Sequence, residues 1–326
     1  MSAPEAGPVP PRVLAGLALD GVGASGSGGG DELSAAARSA ETLGFDVVSL
    51  DDSPDRRPAG GALLSPVDAL AFLARRTRRV GLLATARSHY AEPFHVAKEI
   101  ATLDFVSAGR AGLLVRPGSD SFGDALHPSS ASLDAVELAE QAAEFVAVVG
   151  ELWDSWEDGA ELREVASGRY VDNSRVHHID HDGRWFRVKG PLITPRPPQG
   201  APPVFVADGD GASAARLADT GGVPGHQLAG TALERVEVNE GAQIVGTVRE
   251  AALRLQSGSG AHTLLLLFAV SPDSLPRVLQ ELGDELARTG DSLPGASAAE
   301  GAGFAQRLGL RRRPSRYAAT AEGVIG

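Results

Sequence analysis

Two short stretches hold residues whose types and spacing could do chemistry. In "LLATARSHYAEPFHVAKEIATLD" (82–104), an apolar run from Val80 to Leu83 gives way to Thr85, then to Ser88, His89 and Tyr90 in succession, just ahead of Pro93, where a helical pattern opens. A hydroxyl, an imidazole and a phenol at a strand-to-helix junction either cap the helix or face a ligand. One cap needs one group, and alternation near a strand end cannot hide all three from a cavity. The pattern therefore predicts that Ser88 or His89 lines a ligand pocket, with His89 and Tyr90 as the catalytic candidates. The second stretch is "HHIDHD" (177–182), three imidazoles and two carboxylates in six residues, which resembles a metal site. Its flanks, "RVHHIDHDGRWFRVKG" (175–190), alternate around Asp182-Gly183 as a hairpin does. A hairpin would split these ligands between two faces, so no metal is expected. A third stretch is a decoy. Gly21-x-Gly23-x-x-Gly26 spells a dinucleotide fingerprint, but "SGSGGG" runs on before any helix begins and Asp51 lies too far away for the ribose acid. No Walker lysine and no Gly-x-Ser-x-Gly elbow is present.

Composition narrows the classes. The chain has 326 residues, 43% of them hydrophobic, which is long for one ordinary domain and normal for an α/β barrel. The longest apolar run, Leu264 to Val270, is far short of a membrane span. "MSAPEAGPVPPR" has no apolar segment of a secretion signal and reads as a disordered tail over 1–12, and with no cysteine, disulfides and thiolate chemistry are excluded. A cytoplasmic protein is expected. A net charge of −12 argues against nucleic acid and anionic lipid as partners. "RLGLRRRPSR", near the end, is the one locally basic stretch and reads as part of a solvated C-terminal tail over 300–326.

The elements that must position these residues alternate. Strands are expected over 13–20, 46–52, 79–85, 110–116, 202–208 and 262–270, and helices over 31–45 (Asp31 as N-cap), 65–77 (Ser65 as N-cap), 92–107, 132–156, 211–221, 245–258 and 275–289. "GHQLAG" or "RVEVNE" supplies a further weak strand or two. Four βα units in a row with near-continuous apolar strands imply a parallel sheet covered by helices. Residues 157–202 break the rhythm and read as an insertion. Seven or eight units point to a closed barrel, a single domain over 13–326, with a shortened or missing sixth helix between Asp219 and Gln243.

"EPFHVAKEIATLDFVSAGRAG" (92–112), "EFVAVVGELWDSWEDGA" (144–160), "HIDHDGRWFRVKGPLITPRPPQGAPPV" (178–204) and "RLGLRRRPSRY" (307–317) resemble the luciferase-like flavin monooxygenases. The branch is that of nitrilotriacetate monooxygenase, dibenzothiophene sulfone monooxygenase and pristinamycin synthase. The resemblance implies a TIM-type (β/α)8 barrel with FMN, reduced by a separate flavin reductase, at the C-terminal strand ends. Oxygen would add to the flavin and one oxygen atom would pass to a small substrate; a homodimer or heterodimer is implied as well. It puts Ser88 where a flavin-contacting threonine stands, and Asp52 on a flavin-contacting position. A turn former in "DDSPD" is the equal alternative for Asp52.

The departures fall on the same site. Leu113 and Leu114 stand where a tryptophan and an asparagine are expected, and leucine cannot replace the amide's hydrogen bond to the flavin ring. Gly118 stands for a serine, and Leu138-Ala139 for an Arg-Tyr pair. In "ADGDGAS" (207–213), Gly209 and Gly211 keep backbone donors for the flavin phosphate, while Asp208 and Asp210 set carboxylates near it. At about 5 Å and an effective dielectric near 20, each like-charge pair costs roughly 3 kcal/mol, unless Arg116 or Arg216 compensates; the equal alternative is that the aspartates cap the helix and point away. The leading reading is an FMN-dependent monooxygenase with FMN bound by Asp52, Ser88, Leu114, Gly118, Gly209, Asp210 and Gly211. The alternatives are a barrel with a degenerate flavin site serving as a non-catalytic subunit or binding protein, and a deazaflavin-dependent oxidoreductase.

Overall fold

The computed structural model describes residues 12–22, 29–51, 65–118, 124, 132–207, 214–217, 231–256 and 263–318. Eight strands close a barrel in the order β1 (Arg12–Ala18), β12 (Thr263–Ala269), β11 (Thr231–Glu237), β10 (Ala214–Leu217), β9 (Val204–Ala207), β4 (Ala111–Arg116), β3 (Gly81–Arg87) and β2 (Val47–Leu50). All neighbouring pairs are parallel except the two that β10 makes with β9 and β11. The helix expected over 211–221 is therefore corrected by an antiparallel strand at 214–217. Between β9 and β11 only β10 is described, so most of the stretch expected to hold a shortened sixth helix lies outside the described residues. The other helices are α1 (Gly29–Leu43), α2 (Pro66–Ala74), α3 (Pro93–Ser107), α4 (Ala135–Asp154), α5 (Gly241–Gln256) and α6 (Leu275–Thr289). Among the described residues, no helix is long and apolar enough to cross a membrane.

β1, β2, β4 and β12 are apolar on both faces because they lie between barrel interior and helices. Leu17, Val48, Leu82, Val115 and Leu266 pack outward on the helices. Leu14, Val47, Leu83, Leu114, Phe205, Leu233, Leu265 and Leu267 fill the interior. Two helix starts differ in detail from expectation. Asp31 lies inside the first turn of α1, and Ser65 is the N-cap of α2 without a side-chain bond. The firm cap is on α4, where Asp134 accepts from the N–H groups of Val136 and Glu137 and Glu137 accepts from the Asp134 N–H, a reciprocal capping box.

Between α4 and β9 lie two small hairpins, β5 (Glu161–Glu164) with β6 (Arg169–Val171) and β7 (His181–Asp182) with β8 (Arg187–Val188). The second is the expected hairpin, its turn closed by the Gly183 N–H on the Phe186 carbonyl. Glu144 of α4 accepts from the backbone N–H groups of Arg184, Trp185 and Phe186 in that turn. A Cβ at Gly183 would sit 2.1 Å from the Glu144 carboxylate, so a larger residue there would push that carboxylate aside.

The C-terminal segment closes the opposite end of the barrel. The short helix α7 (Phe304–Arg307) sets the fully buried Phe304 ring inside the bottom of the barrel, 6.4 Å from the Phe205 ring. Gly81 and Gly112 make the room: a Cβ at Gly112 would lie 2.6 Å from the Phe304 ring. Gln199 donates to Asp104 and to the Ala111 carbonyl and accepts from Ala305 N–H, stapling α3, β4 and α7 together. Beyond it, Arg313 and Arg316 join Arg196 on the buried Asp154 at the end of α4, and Arg312 grips Asp158 with both terminal nitrogens at 2.7 and 2.5 Å. The basic stretch expected to be a solvated tail is thus a docked clamp, because Arg312, Arg313 and Arg316 each find a carboxylate.

Candidate active site at the barrel mouth

Strand alternation carries the apolar interior up to a charged layer at the C-terminal strand ends. Two residues past the inward-facing Ala18 stands Asp20; past Ser49 stands Asp51; past Thr85, Arg87; past Leu114, Arg116; past Leu233, Arg235 and then Glu237. Arg116 donates to Asp51 at 2.5 Å, reaching from β4 across β3 to the end of β2. Arg235 donates to Asp20 at 3.0 Å, reaching from β11 across β12 to the end of β1. The Asp51 N–H donates to Asp20 Oδ1 at 2.8 Å and joins the two pairs. The carboxylates are 3% and 6% exposed and the two guanidiniums 12% and 14%, so these are charge-assisted bonds largely shielded from water.

The residues of the opening stretch follow this layer. Val80, Leu82 and Leu83 are fully buried and Thr85 nearly so. Ser88, the first residue beyond β3, has its N–H on the Arg116 carbonyl and its side chain 1% exposed. Its Oγ has no hydrogen-bond partner among the described residues. His89 is half-buried, with Nδ1 3.1 Å from Gln141 Oε1 of α4 and its ring edge-on to Tyr90 at 4.9 Å. Tyr90 donates to Asp124 at 2.7 Å. Ser88 is thus at the strand end, whereas His89 turns toward α4. Leu114 faces the interior and Leu113 the helices. Gly118 has φ 116°, a conformation for glycine. Asp52, Asp208, Gly209, Asp210 and Gly211 lie outside the described residues.

Gln141 and the charged layer were missed by sequence reasoning. Counting by twos past the last inward apolar residue would have found the layer. Nothing in the sequence pairs residue 141 with residue 89. The histidines of "HHIDHD" diverge: His177 meets Glu157 at 2.7 Å and stacks on Tyr317, His178 meets the Gly190 carbonyl, and His181 sits between Glu144 and Glu151. Among the described residues no group of three or more His, Asp or Glu converges on a metal position. Burial pushes the Glu144 carboxyl up, but the N–H groups of Phe186 and Trp185 and the His181 ring outweigh it and hold its pKa below the usual range.

A family model described as luciferase-like monooxygenase matches residues 15–268, more than three quarters of the chain. The chain belongs to the luciferase-like monooxygenase family. Among curated proteins it is similar to N-acetyl-S-(2-succino)cysteine monooxygenase of Bacillus subtilis (strain 168), 36% identical over 188 residues, 56% of this chain and 43% of that one. It is also similar to nitrilotriacetate monooxygenase component A of Aminobacter aminovorans, 42% identical over 150 residues, 44% of this chain and 32% of that one. The chain spans less than half the length of either relative. Among solved structures, a riboflavin lyase with modified FMN and riboflavin shares the fold at a TM-score of 0.65 and 18% identity over 92% of this chain and 96% of that one. EDTA monooxygenase from Chelativorans sp. BNC1 does so at 0.60 and 17% identity over 93% of this chain and 99% of that one. The luciferase-like matches agree with the barrel, and such barrels keep their chemistry at the C-terminal mouth.

Proposed function

We propose that the chain is the oxygenating component of a two-component flavin-dependent monooxygenase, using FMN reduced by a separate flavin reductase to oxygenate a small organic substrate with O2. The observation that carries this reading is membership of the luciferase-like family over 15–268, in a barrel whose C-terminal mouth is polar. The chain fits a flavin at one point that its own atoms define. Ser88 Oγ is buried with no partner among the described residues, and an unsatisfied buried hydroxyl costs about 1–3 kcal/mol. A hydrogen bond to the flavin offsets that cost. Ser88, Asp52, Gly118 and the run Gly209, Asp210, Gly211 are the residues that would hold FMN, with Leu114 packing beneath it. Bound reduced flavin supplies the electrons that activate oxygen. Because Gln141 Oε1 accepts from the His89 Nδ1–H, neutral His89 keeps its lone pair on Nε2. Nε2 is the atom that would take a proton, or give one once charged, at the substrate, with Tyr90 beside it. A cytoplasmic dimer belongs to the same reading.

A second reading has its own observation. Leu114 puts no donor on the interior face, and the Asp51–Arg116 and Asp20–Arg235 pairs already span the mouth. A barrel without tight flavin binding, serving as the non-catalytic partner of a heterodimer, would look the same. Anaerobic titration with reduced FMN separates the two. Saturable binding, followed by substrate-dependent oxygen uptake when a reductase is added, supports the oxygenase. No saturation at millimolar flavin removes it and leaves the non-catalytic reading.

A further inference from the structure

We propose that Gln141 is a positioning residue for His89: its side-chain carbonyl locks the imidazole in the Nδ1–H tautomer and so leaves the lone pair on Nε2 for the substrate. The inference rests on the oxygenase reading for its effect on turnover, but the tautomer is a property of the protein alone. Gln141 Oε1 lies 3.1 Å from His89 Nδ1. A carbonyl oxygen only accepts, so the proton of a neutral ring facing it sits on Nδ1. In water an imidazole side chain favours the opposite form, Nε2–H, and a partner at one nitrogen is what overrides that preference.

The fold holds the amide in place. Leu138, Ala142 and Phe145 bury the neighbouring face of α4 in the core, and Gln141 is half-buried at its edge. Glu137 and Glu144 stand four residues before it and three after, on the same stretch of helix surface. Both are engaged by the second hairpin: Glu137 accepts from Arg184 at 2.7 Å and Glu144 from the Phe186 N–H at 2.8 Å. The neutral amide between them is left for the imidazole. The choice of group matters. A carboxylate at that place would favour the charged ring, whose Nε2 carries a proton and no lone pair. An amide sets the direction of the ring and adds no charge. From the other side the Tyr90 ring stands edge-on to the imidazole at 4.9 Å, and its hydroxyl is itself tied to Asp124 at 2.7 Å. Among the described residues no group takes up Nε2.

The test compares Gln141→Leu, which removes the acceptor at similar size, and Gln141→Glu, which keeps an oxygen there, with the wild type. Nitrogen-15 spectra of the histidine rings are recorded without flavin at about pH 8.5, where an ordinary imidazole is neutral, and His89→Ala identifies the His89 signals. The expected result is Nδ1–H in the wild type, a proton retained on Nδ1 in Gln141→Glu, and a return to Nε2–H in Gln141→Leu. Turnover is then read with reduced FMN, oxygen and methyl phenyl sulfide as the probe substrate. Gln141→Leu should lower kcat about tenfold with KM little changed. In the His89→Ala background the same substitution should cost nothing further, because it acts through the ring that is gone. A wild-type ring in the Nε2–H form, or a Gln141→Leu protein whose Nδ1–H signal stays, overturns the proposal. So does an equal loss of kcat with and without His89. Expected tautomers without any turnover would keep the Gln141 lock and remove the oxygenase, whereas turnover with the wrong tautomer would do the reverse.

Discussion

Single residues in this chain gain their meaning from what the strand ends do with them. His89 is half-buried, touches α4 through one hydrogen bond and contributes little packing. His89→Ala should therefore lower oxygenation by at least tenfold, within the range of a lost proton-transfer group, while moving Tm by no more than a degree or two. A large loss of stability, or full turnover, would make it a structural residue. Asp46 behaves differently. Its carboxylate, at the bottom of the barrel, accepts from the Ala15 N–H at 2.9 Å, and burial pushes its pKa up to about 6 despite that bond and the charges of Arg307 and Arg12. The folded value is raised above the unfolded one, so the folded state binds the proton more tightly. The associated stability is present below about pH 4 and is lost as pH rises through 6. Two pK units correspond to about 3 kcal/mol. Asp46→Asn, which keeps an acceptor for Ala15, should flatten that fall, read as the difference in urea midpoint between variant and wild type from pH 4 to 7. Ser88 and His89 were legible as a polar cluster after an apolar run. Arg116 was legible only as a cation near the anion, and Asp51 was passed over, although counting by twos past Ser49 reaches it.

At the scale of elements, apolar runs bounded by Gly, Pro and charged residues were enough to find β1, β3, β4, β12, α3 and α6. β10 was not legible: Ala214 and Ala215 follow Ala212 and favour a helix by propensity, and only the gap between β9 and β11 makes a strand of them. The plug was not legible either, since a four-residue helix has no periodicity. Yet it explains glycines that looked incidental. Gly112→Ala forces the Phe304 ring to move and should cost about 1–3 kcal/mol by overpacking. Phe304→Ala should cost about 3–5 kcal/mol by leaving a cavity. Combining the two should cost less than their sum, because the alanine methyl enters the space the ring has left. Chemical denaturation of the three proteins checks this, and strict additivity would mean that the two sites do not touch in solution.

For the whole molecule, the barrel and its family were written plainly in the βα rhythm and in four matching segments. The treatment of the C-terminal stretch as a tail failed because sequence shows its charge and not the acids waiting for it. Asp154 is fully buried among Arg196, Arg313 and Arg316. Asp154→Ala leaves the buried Arg196 with Asp158 at 3.4 Å as its remaining carboxylate and should cost about 3–5 kcal/mol, and Arg313→Ala, whose guanidinium is more exposed, should cost less. Equal effects, measured as urea midpoints, would show that the clamp does not act through the buried pair. The position of Phe304 late in the chain also sets an order of events during synthesis. β1 pairs with β12, some 250 residues away, and the ring that fills the space between Gly81 and Gly112 leaves the ribosome after both. Until it does, the nascent barrel is open at one end, with Leu83, Leu114 and Leu265 beneath the gap. Such long-range closure is slow and leaves apolar surface exposed in the meantime. Nascent chains stalled before residue 304 should therefore bind trigger-type chaperones and resist release until Phe304 emerges.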